Sequence, residues 1–281
     1  MKDILFNLSN IRIEVSFKSF EELRMILSFC QSNNLYKINI PCKNSLKKDF
    51  LLESIKISRE EFPNIDIIPH FSILHEFKRN RINTQDSLLN FLRAVKYLGC
   101  KQILLVSGSQ KRSTLDSLAA LSVLKDYPLF FNQNFFIGVA FNPYLPGVLF
   151  DEEISRLDKK LQSGLVNSIW IQFGTDYKLL RSRIQILSSI IFRAINKNSK
   201  ISEIMLFGSI LIPSRQFLAR FKYRPWKGVY CSDEFLDSVD VASNLVIKLL
   251  KTYKHYNILP IIETNISTED HLKKLKMILN Y

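Results

Sequence analysis

A chain of 281 residues with 47% hydrophobic residues has enough apolar material for a packed core, which excludes wholesale disorder. With 8 Gly and 9 Pro, it is neither collagen-like nor dominated by linkers. The longest apolar runs, such as 103–106 and 135–141, are far shorter than the roughly 20 residues of a transmembrane helix. The first ten residues lack the basic start and apolar core of a secretory signal. We therefore expect a soluble protein of the cytoplasm or an organelle interior, without a membrane partner.

The net charge of +13 suits an anionic partner, such as nucleic acid, a phosphorylated cofactor or a polyglutamate tail. The basic residues are spread along the chain in twos and threes, however, which favours an ordinary solvated surface over nucleic-acid binding. The cysteines lie far apart without a CxxC motif, at positions Cys30, Cys42, Cys100 and Cys231. This spacing indicates neither a zinc site nor a disulfide framework, so we expect no metal.

Short apolar runs alternate with amphipathic stretches along the whole chain. The apolar runs predict eight strands, at 11–15, 36–40, 65–69, 102–106, 135–141, 168–173, 203–207 and 258–263. Helical spacing of apolar residues predicts helices at 20–31, 46–61, 84–97, 113–125, 151–162, 176–196, from 214, at 233–255 and at 267–280. Eight strand–helix units without a central linker predict one α/β domain over 1–281, a (β/α)8 TIM barrel. A doubly wound open sheet is the alternative.

In a barrel the chemistry lies where the strands end. The residues expected there are polar or small and include Glu14, His70, Gln172 and the run 107–109. They contain no cluster of His and carboxylates at metal-ligand spacing, no G-x-S-x-G elbow and no Walker loop, which argues against metal-dependent and serine hydrolysis.

Several stretches, in order, resemble the 5,10-methylenetetrahydrofolate reductase family, whose catalytic domain is a (β/α)8 flavoprotein. They are IEVSF (13–17), PHF (69–71), LGCKQILLVSGS (98–109), IGVAFNP (137–143), LDKKLQSG (157–164), WIQF (170–173), FGSILIPS (207–214) and ETN (263–265). The resemblance implies reduction of 5,10-methylenetetrahydrofolate to 5-methyltetrahydrofolate by FAD, with NAD(P)H as the reductant. It also implies a homo-oligomer.

The resemblance assigns the folate half of the site to Glu14 and Gln172. Glu14 matches the family's general acid, which protonates the folate amine so that its five-membered ring opens to an iminium. That chemistry needs a carboxyl group that keeps its proton near neutrality, which burial at a barrel mouth supplies. Gln172 matches the glutamine that contacts the pterin, where an amide both donates and accepts. Phe217, like Phe173, is a candidate to stack on a ring of the substrate or nicotinamide, although a core role is the more common one.

The flavin half is assigned in the same way. The resemblance places FAD against residues from the ends of strands three to five and the following helix: His70, Ser107, Gly108, Ser109, Ala140, Asn142, Glu153 and Lys160. Lys160 matches a lysine that meets the FAD diphosphate, and Glu153 an acidic residue near the adenosine ribose. A structural histidine and a solvated lysine pair are the simpler interpretations of His70 and Lys160.

The flavin half also departs from the family. Ser107-Gly108-Ser109 stands where the family has Arg-Gly-Asp, so that the aspartate near the flavin pyrimidine edge is missing. Three hypotheses therefore stand: a divergent flavin-dependent reductase, a catalytically silent or repurposed barrel without flavin, and a basic interaction subunit of a larger assembly.

Overall fold

Eight parallel strands form a closed barrel. The computed structural model describes residues 7–42, 48–73, 81–107, 115–125, 127, 135–197 and 203–280. The strands are β1 (Arg12–Glu14), β2 (Lys37–Ile40), β3 (Asp66–Ser72), β4 (Gln102–Val106), β5 (Phe136–Phe141), β6 (Val166–Ile171), β7 (Met205–Ile210) and β8 (Ile258–Ile262). Each strand pairs with the next along the chain, and β8 pairs with β1. The predicted (β/α)8 barrel is thus confirmed, and the open sheet is wrong.

Helices connect the strands and cover the barrel. They are α1 (Phe20–Ser32), α2 (Lys48–Glu61), α3 (Arg81–Tyr97), α4 (Ser117–Lys125), α5 (Gly147–Gln162), α6 (Tyr177–Lys197), α7 (Arg215–Tyr223), α8 (Asp233–Asp237), α9 (Val239–His255) and α10 (Glu269–Leu279). Each long helix buries an apolar stripe; in α1 the buried residues are Leu23, Ile26, Leu27 and Cys30. Among the described residues, no helix combines the length and the apolarity that crossing a bilayer requires.

Among the helix boundaries that differ from the predicted ones, three concern helix starts. The predicted helix at 233–255 is two helices, because Ser238 has extended backbone and its Oγ accepts the N–H of Val241 as the N-cap of α9. The helix predicted from 151 begins at Gly147, directly after the extended Pro146. Thr84, predicted as an N-cap, is buried inside α3.

The strands alternate between the helical shell and the barrel interior. Outward-facing residues pack beneath the helices in one large apolar core. Inward-facing residues form a second apolar cluster, made of Ile68, Leu104, Trp170, Phe207 and Ile261. Because all strands are parallel, their carboxyl ends open together at one mouth of the barrel.

Candidate functional site

The mouth of the barrel is lined by the inward-facing residues at the carboxyl ends of the strands. Five of these are half-buried and so border solvent at the opening: Glu14, Val106, Ala140, Gln172 and Glu263. Ser72 and Ser209, which complete this layer on β3 and β7, are buried. A layer of mixed carboxyl, amide and small apolar groups suits a ligand that is itself partly polar and partly flat.

A stack of two aromatic rings lies below this layer. The rings of Trp170 and Phe207 are 4.2 Å apart between centroids and 19° from parallel. Trp170 Nε1 donates to Ser168 Oγ at 2.9 Å, which satisfies the indole N–H inside the barrel. Gly138 on β5 makes room for the indole, because a Cβ there would lie 2.3 Å from Trp170 Nε1. The floor of the mouth is therefore packed on this side.

Two carboxyl groups stand side by side at the mouth. Glu14 is in register with Asn39 of β2, and on its other side the pairing of Ile13 with Ile262 puts Glu14 next to Glu263. Ser209 Oγ donates to Glu263 Oε1 at 2.6 Å. Glu14 thus lies on the inner wall of the mouth, where the general acid of the resemblance is expected.

A hydrogen-bonded chain runs along the inner wall from β1 to β3. Arg12 Nη1 donates to Asp66 Oδ2 at 2.6 Å, and Arg12 Nε donates to Asn39 Oδ1 at 2.7 Å. Asn39 Nδ2 then lies 2.9 Å from His70 Nε2. Burial lowers the pKa of the Arg12 guanidinium, and the nearby Asp66 carboxylate opposes that shift. His70 is buried and lies within β3, two residues before its end.

Ser107 and Asn142, expected to contact a flavin, both make hydrogen bonds within the protein. Ser107 Oγ donates to Ser117 Oγ at 2.8 Å and accepts the Ser117 N–H at 2.9 Å. Asn142 Nδ2 donates to the carbonyl of Gly228 at 2.9 Å. Gly108 and Ser109 lie outside the described residues. Ser107 therefore orients α4 as well as bordering the mouth.

A buried lysine lies in the last turn of α5. Lys160 is only 5% exposed, which corrects its interpretation as part of a solvated lysine pair. Its ammonium makes no hydrogen bond, and no ion pair within 4 Å, to any other described residue. Burial lowers the pKa of Lys160, and the charge of Glu153 on the same helix opposes that shift. Glu153 Oε1 accepts the N–H of Asn142 at 3.1 Å, which links this charged group to the mouth.

Gln172 and the two phenylalanines have different surroundings. Gln172 follows Trp170 by two positions, on the same inner face of β6. Phe173 is fully buried against Phe235 and belongs to the core. Phe217 on α7 is half-buried in an aromatic cluster, with its ring centroid 5.4 Å from that of Trp226. Of the predicted folate residues, Glu14 and Gln172 thus share the inner wall, whereas Phe217 packs on Phe235 at the edge of the main core.

The sequence places Asn39 and Glu263 at strand ends without a role, and the sequence analysis missed Arg12. Arg12 and Asn39 support His70 from below, and Glu263 stands beside Glu14. An arginine between Ile11 and Ile13 in a predicted strand was the available signal, because it places a charge on the inner face of the barrel. Among the described residues, no three His, Cys, Asp or Glu side chains are arranged to hold a metal ion.

Comparisons with known proteins support the fold and go no further. No family model matches the chain, and no curated protein sequence matches it. Oxaloacetate acetylhydrolase is similar over 95% of this chain and 79% of its own, with a TM-score of 0.57 and 7% identity. An aldo-keto reductase from Klebsiella pneumoniae in complex with NADPH matches over 97% and 86%, with a TM-score of 0.52 and 11% identity. A 2,3-dimethylmalate lyase matches with a TM-score of 0.53 and 8% identity, over 95% of this chain and 77% of its own.

The residues present are compatible with a flavin dinucleotide. Lys160 has a largely buried side chain, and its ammonium, which makes no hydrogen bond to another described residue, is chemically suited to a phosphate oxygen. Val106 and Ala140 give the mouth two small apolar positions on neighbouring strands, against which a flat ring could lie. Glu153, beside Lys160, suits hydroxyl groups rather than phosphate.

Proposed function

We propose that this chain is a divergent flavin-dependent reductase of 5,10-methylenetetrahydrofolate that uses NAD(P)H as its reductant. The observation that carries the proposal is the position of Glu14. It is half-buried on the inner wall of the mouth, on the same wall as Gln172, above a packed aromatic floor. The sequence resemblance assigns these two residues to the folate, and both lie at the end of the barrel where such enzymes bind their ligands.

The side chains divide the work as follows. Glu14 delivers a proton to an amine nitrogen of the folate, which opens the five-membered ring to an iminium. Gln172 holds the pterin edge, since its amide offers both a donor and an acceptor. Lys160 pairs with the cofactor diphosphate. FAD, when bound, supplies the hydride chemistry that no side chain can perform.

Binding of FAD separates this proposal from a silent barrel that lacks flavin. We expect the purified protein to bind added FAD, with Lys160→Met weakening the affinity about ten- to a hundredfold through loss of a charge-assisted hydrogen bond. The matched control is Lys159→Met, which removes the neighbouring, more exposed lysine of α5. Fluorescence titration measures both. A wild-type chain that takes up no FAD would favour the silent barrel, and equal losses in the two variants would remove Lys160 from the phosphate site.

Stability measurements on Lys160→Met test, without any cofactor, whether the buried charge of Lys160 destabilises the folded chain. Because burial lowers the pKa of Lys160, the folded chain holds this proton less tightly than the unfolded chain does. The charge therefore costs stability at neutral pH, and the cost falls as the pH rises toward about 10. We expect Lys160→Met to unfold at an equal or higher urea concentration than the wild type at pH 7, with the difference shrinking at higher pH.

The role of Glu14 is tested by separating the two half-reactions. We expect Glu14→Gln to abolish folate reduction while reduction of the flavin by NAD(P)H continues at the wild-type rate, because only the folate needs the proton. The control, Glu60→Gln, makes the same change on the exposed surface of α2. Stopped-flow absorbance follows each half-reaction. Equal losses in both half-reactions would give Glu14 another role.

A further inference from the structure

The inner wall between β1 and β3 contains a chain of hydrogen bonds whose directions can be assigned from chemistry alone. Arg12 is 3% exposed, and its guanidinium carries only donors. Its Nη2 donates to the carbonyls of Ile38 and Asp66, at 3.0 and 3.1 Å, and its Nη1 donates to the Asp66 carboxylate. Four hydrogen bonds, with that to Asn39, therefore fix the guanidinium in place.

Arg12 in turn fixes the orientation of the Asn39 amide. The atom of Asn39 that lies 2.7 Å from Arg12 Nε must be the oxygen, because two donors cannot share a hydrogen bond. The NH2 group of the amide then points at His70, 2.9 Å from Nε2. Asn39 is fully buried, so solvent does not compete for either end of the amide.

We propose that Arg12 and Asn39 are positioning residues that hold His70 in the tautomer with its proton on Nδ1 and with Nε2 as an acceptor. An NH2 group can only donate, and so the imidazole nitrogen facing it must lack a proton. A proton on Nε2 would face a hydrogen of the Asn39 amide, and two donors cannot form a hydrogen bond. The edge-on contact with the Trp170 ring, at 6.3 Å and 67°, helps to keep the imidazole plane in this orientation.

Of the charged groups around the network, the one bonded to it favours the same state. Those facing it from the described elements are Arg12 and Glu14 of β1, Lys37 of β2 and Asp66 of β3. Arg12 is the charge bonded to Asn39, and a positive imidazole two hydrogen bonds away would be repelled by it. Asp66 is half-exposed and already paired with Arg12, so it does not offset that repulsion.

The tautomer determines which nitrogen of His70 can donate. A neutral ring with its one N–H on Nδ1 has no proton to give from Nε2. Only this consequence rests on the proposed function: the acidic proton comes from Glu14 and not from Nε2 of His70.

Nitrogen NMR on the ligand-free protein tests the tautomer directly. The chain has four histidines, so selective 15N-histidine labelling gives a simple spectrum, in which His70→Gln identifies the His70 signals. At pH 7.5 we expect Nε2 of His70 in the wild type to have the shift of an unprotonated nitrogen and Nδ1 that of a protonated one. Finding the proton on Nε2 would overturn the proposal.

A variant that reverses the hydrogen bond strengthens the test. Asn39→Asp keeps an oxygen for Arg12 and gives His70 an acceptor in place of a donor, so we expect Nε2 to become protonated. The control is Asn90→Asp, the same substitution on the exposed face of α3, which should leave the His70 signals unchanged. An unchanged His70 spectrum in Asn39→Asp would refute the role of Asn39. Since no flavin or folate is present, the outcome is independent of the reductase proposal.

Discussion

The two sides of the barrel interior are built on different principles. On the β1–β3 side, Arg12, Asn39 and His70 form a chain of directed hydrogen bonds. On the opposite side, Trp170 and Phe207 fill the interior with stacked rings. The polar side depends on each partner being present, because a buried donor or acceptor that loses its partner is costly. The apolar side depends on volume and shape.

This difference indicates which side of the barrel can discriminate between ligands. Stacked rings make a rigid floor without directional bonds to a ligand. The polar chain, in contrast, fixes the orientation of the His70 imidazole through its hydrogen bond with Asn39. The substitutions below test whether the two sides respond as this comparison requires.

The largest loss is expected on the polar side. Arg12→Met leaves Asn39 Oδ1 and the Ile38 carbonyl without their donor inside the barrel, so we expect a loss of about 3–5 kcal/mol in the free energy of unfolding. Urea denaturation measures it. The control is Arg24→Met, which breaks an exposed pair with Glu61 and should cost at most about 1 kcal/mol. Similar losses in the two variants would contradict the comparison.

An intermediate loss is expected from overfilling the apolar side. Gly138→Ala puts a methyl group 2.3 Å from Trp170 Nε1, and the indole cannot move freely because it is stacked on Phe207 and bonded to Ser168. We expect a destabilisation of about 1–3 kcal/mol and a shifted tryptophan fluorescence spectrum. Gly147→Ala is the control for the added methyl group, since a Cβ there meets no atom within 4 Å, although its positive φ adds some strain. An unshifted spectrum with unchanged stability would mean that the floor is loosely packed.

The smallest loss of stability is expected from removing the Ser168 hydroxyl, which lies beneath the aromatic floor and accepts two hydrogen bonds. Ser168 Oγ accepts from Gln102 Nε2 at 2.6 Å and from Trp170 Nε1 at 2.9 Å. We expect Ser168→Ala to cost about 1–2 kcal/mol, below the loss in Arg12→Met, because the floor keeps its ring packing. Thermal unfolding compares the two variants directly. A loss as large as that of Arg12→Met would make the floor as dependent on hydrogen bonds as the opposite wall.

Much of the fold could be predicted from periodicity because strands and helices alternate so regularly. All eight strands occur in the predicted order. The observed bounds of α1 and α6 differ from the predicted ones by no more than one residue at either end. The break at Ser238 was missed because the apolar spacing continues across it, and only the local capping geometry reveals it. Closure of the barrel was inferred from a count of eight, not from any pairing signal.

The site was less predictable, since burial of a side chain depends on elements far apart in sequence. Glu14 and Gln172 were located correctly by being at strand ends, which a barrel always brings together. In the sequence Lys160 is half of a lysine pair on an amphipathic helix, and only the packing of α4 against α5 accounts for its burial. Arg12 is visible in the sequence as a charge within a predicted strand, but its contact with Asn39 follows only from the pairing of β1 with β2.

The seam between β1 and β8 has a consequence for biosynthesis. β1 has only three residues, and Ile262, which pairs with Ile13 from the other side, is made 249 residues after it. Until β8 leaves the ribosome, the nascent sheet has two unpaired edges, at which association with other chains can begin. In the closed barrel, Asn265 Nδ2 donates to the carbonyl of Ser16 at 3.2 Å, which joins the segments that follow β8 and β1. Both edges are therefore covered only once the eighth strand has emerged.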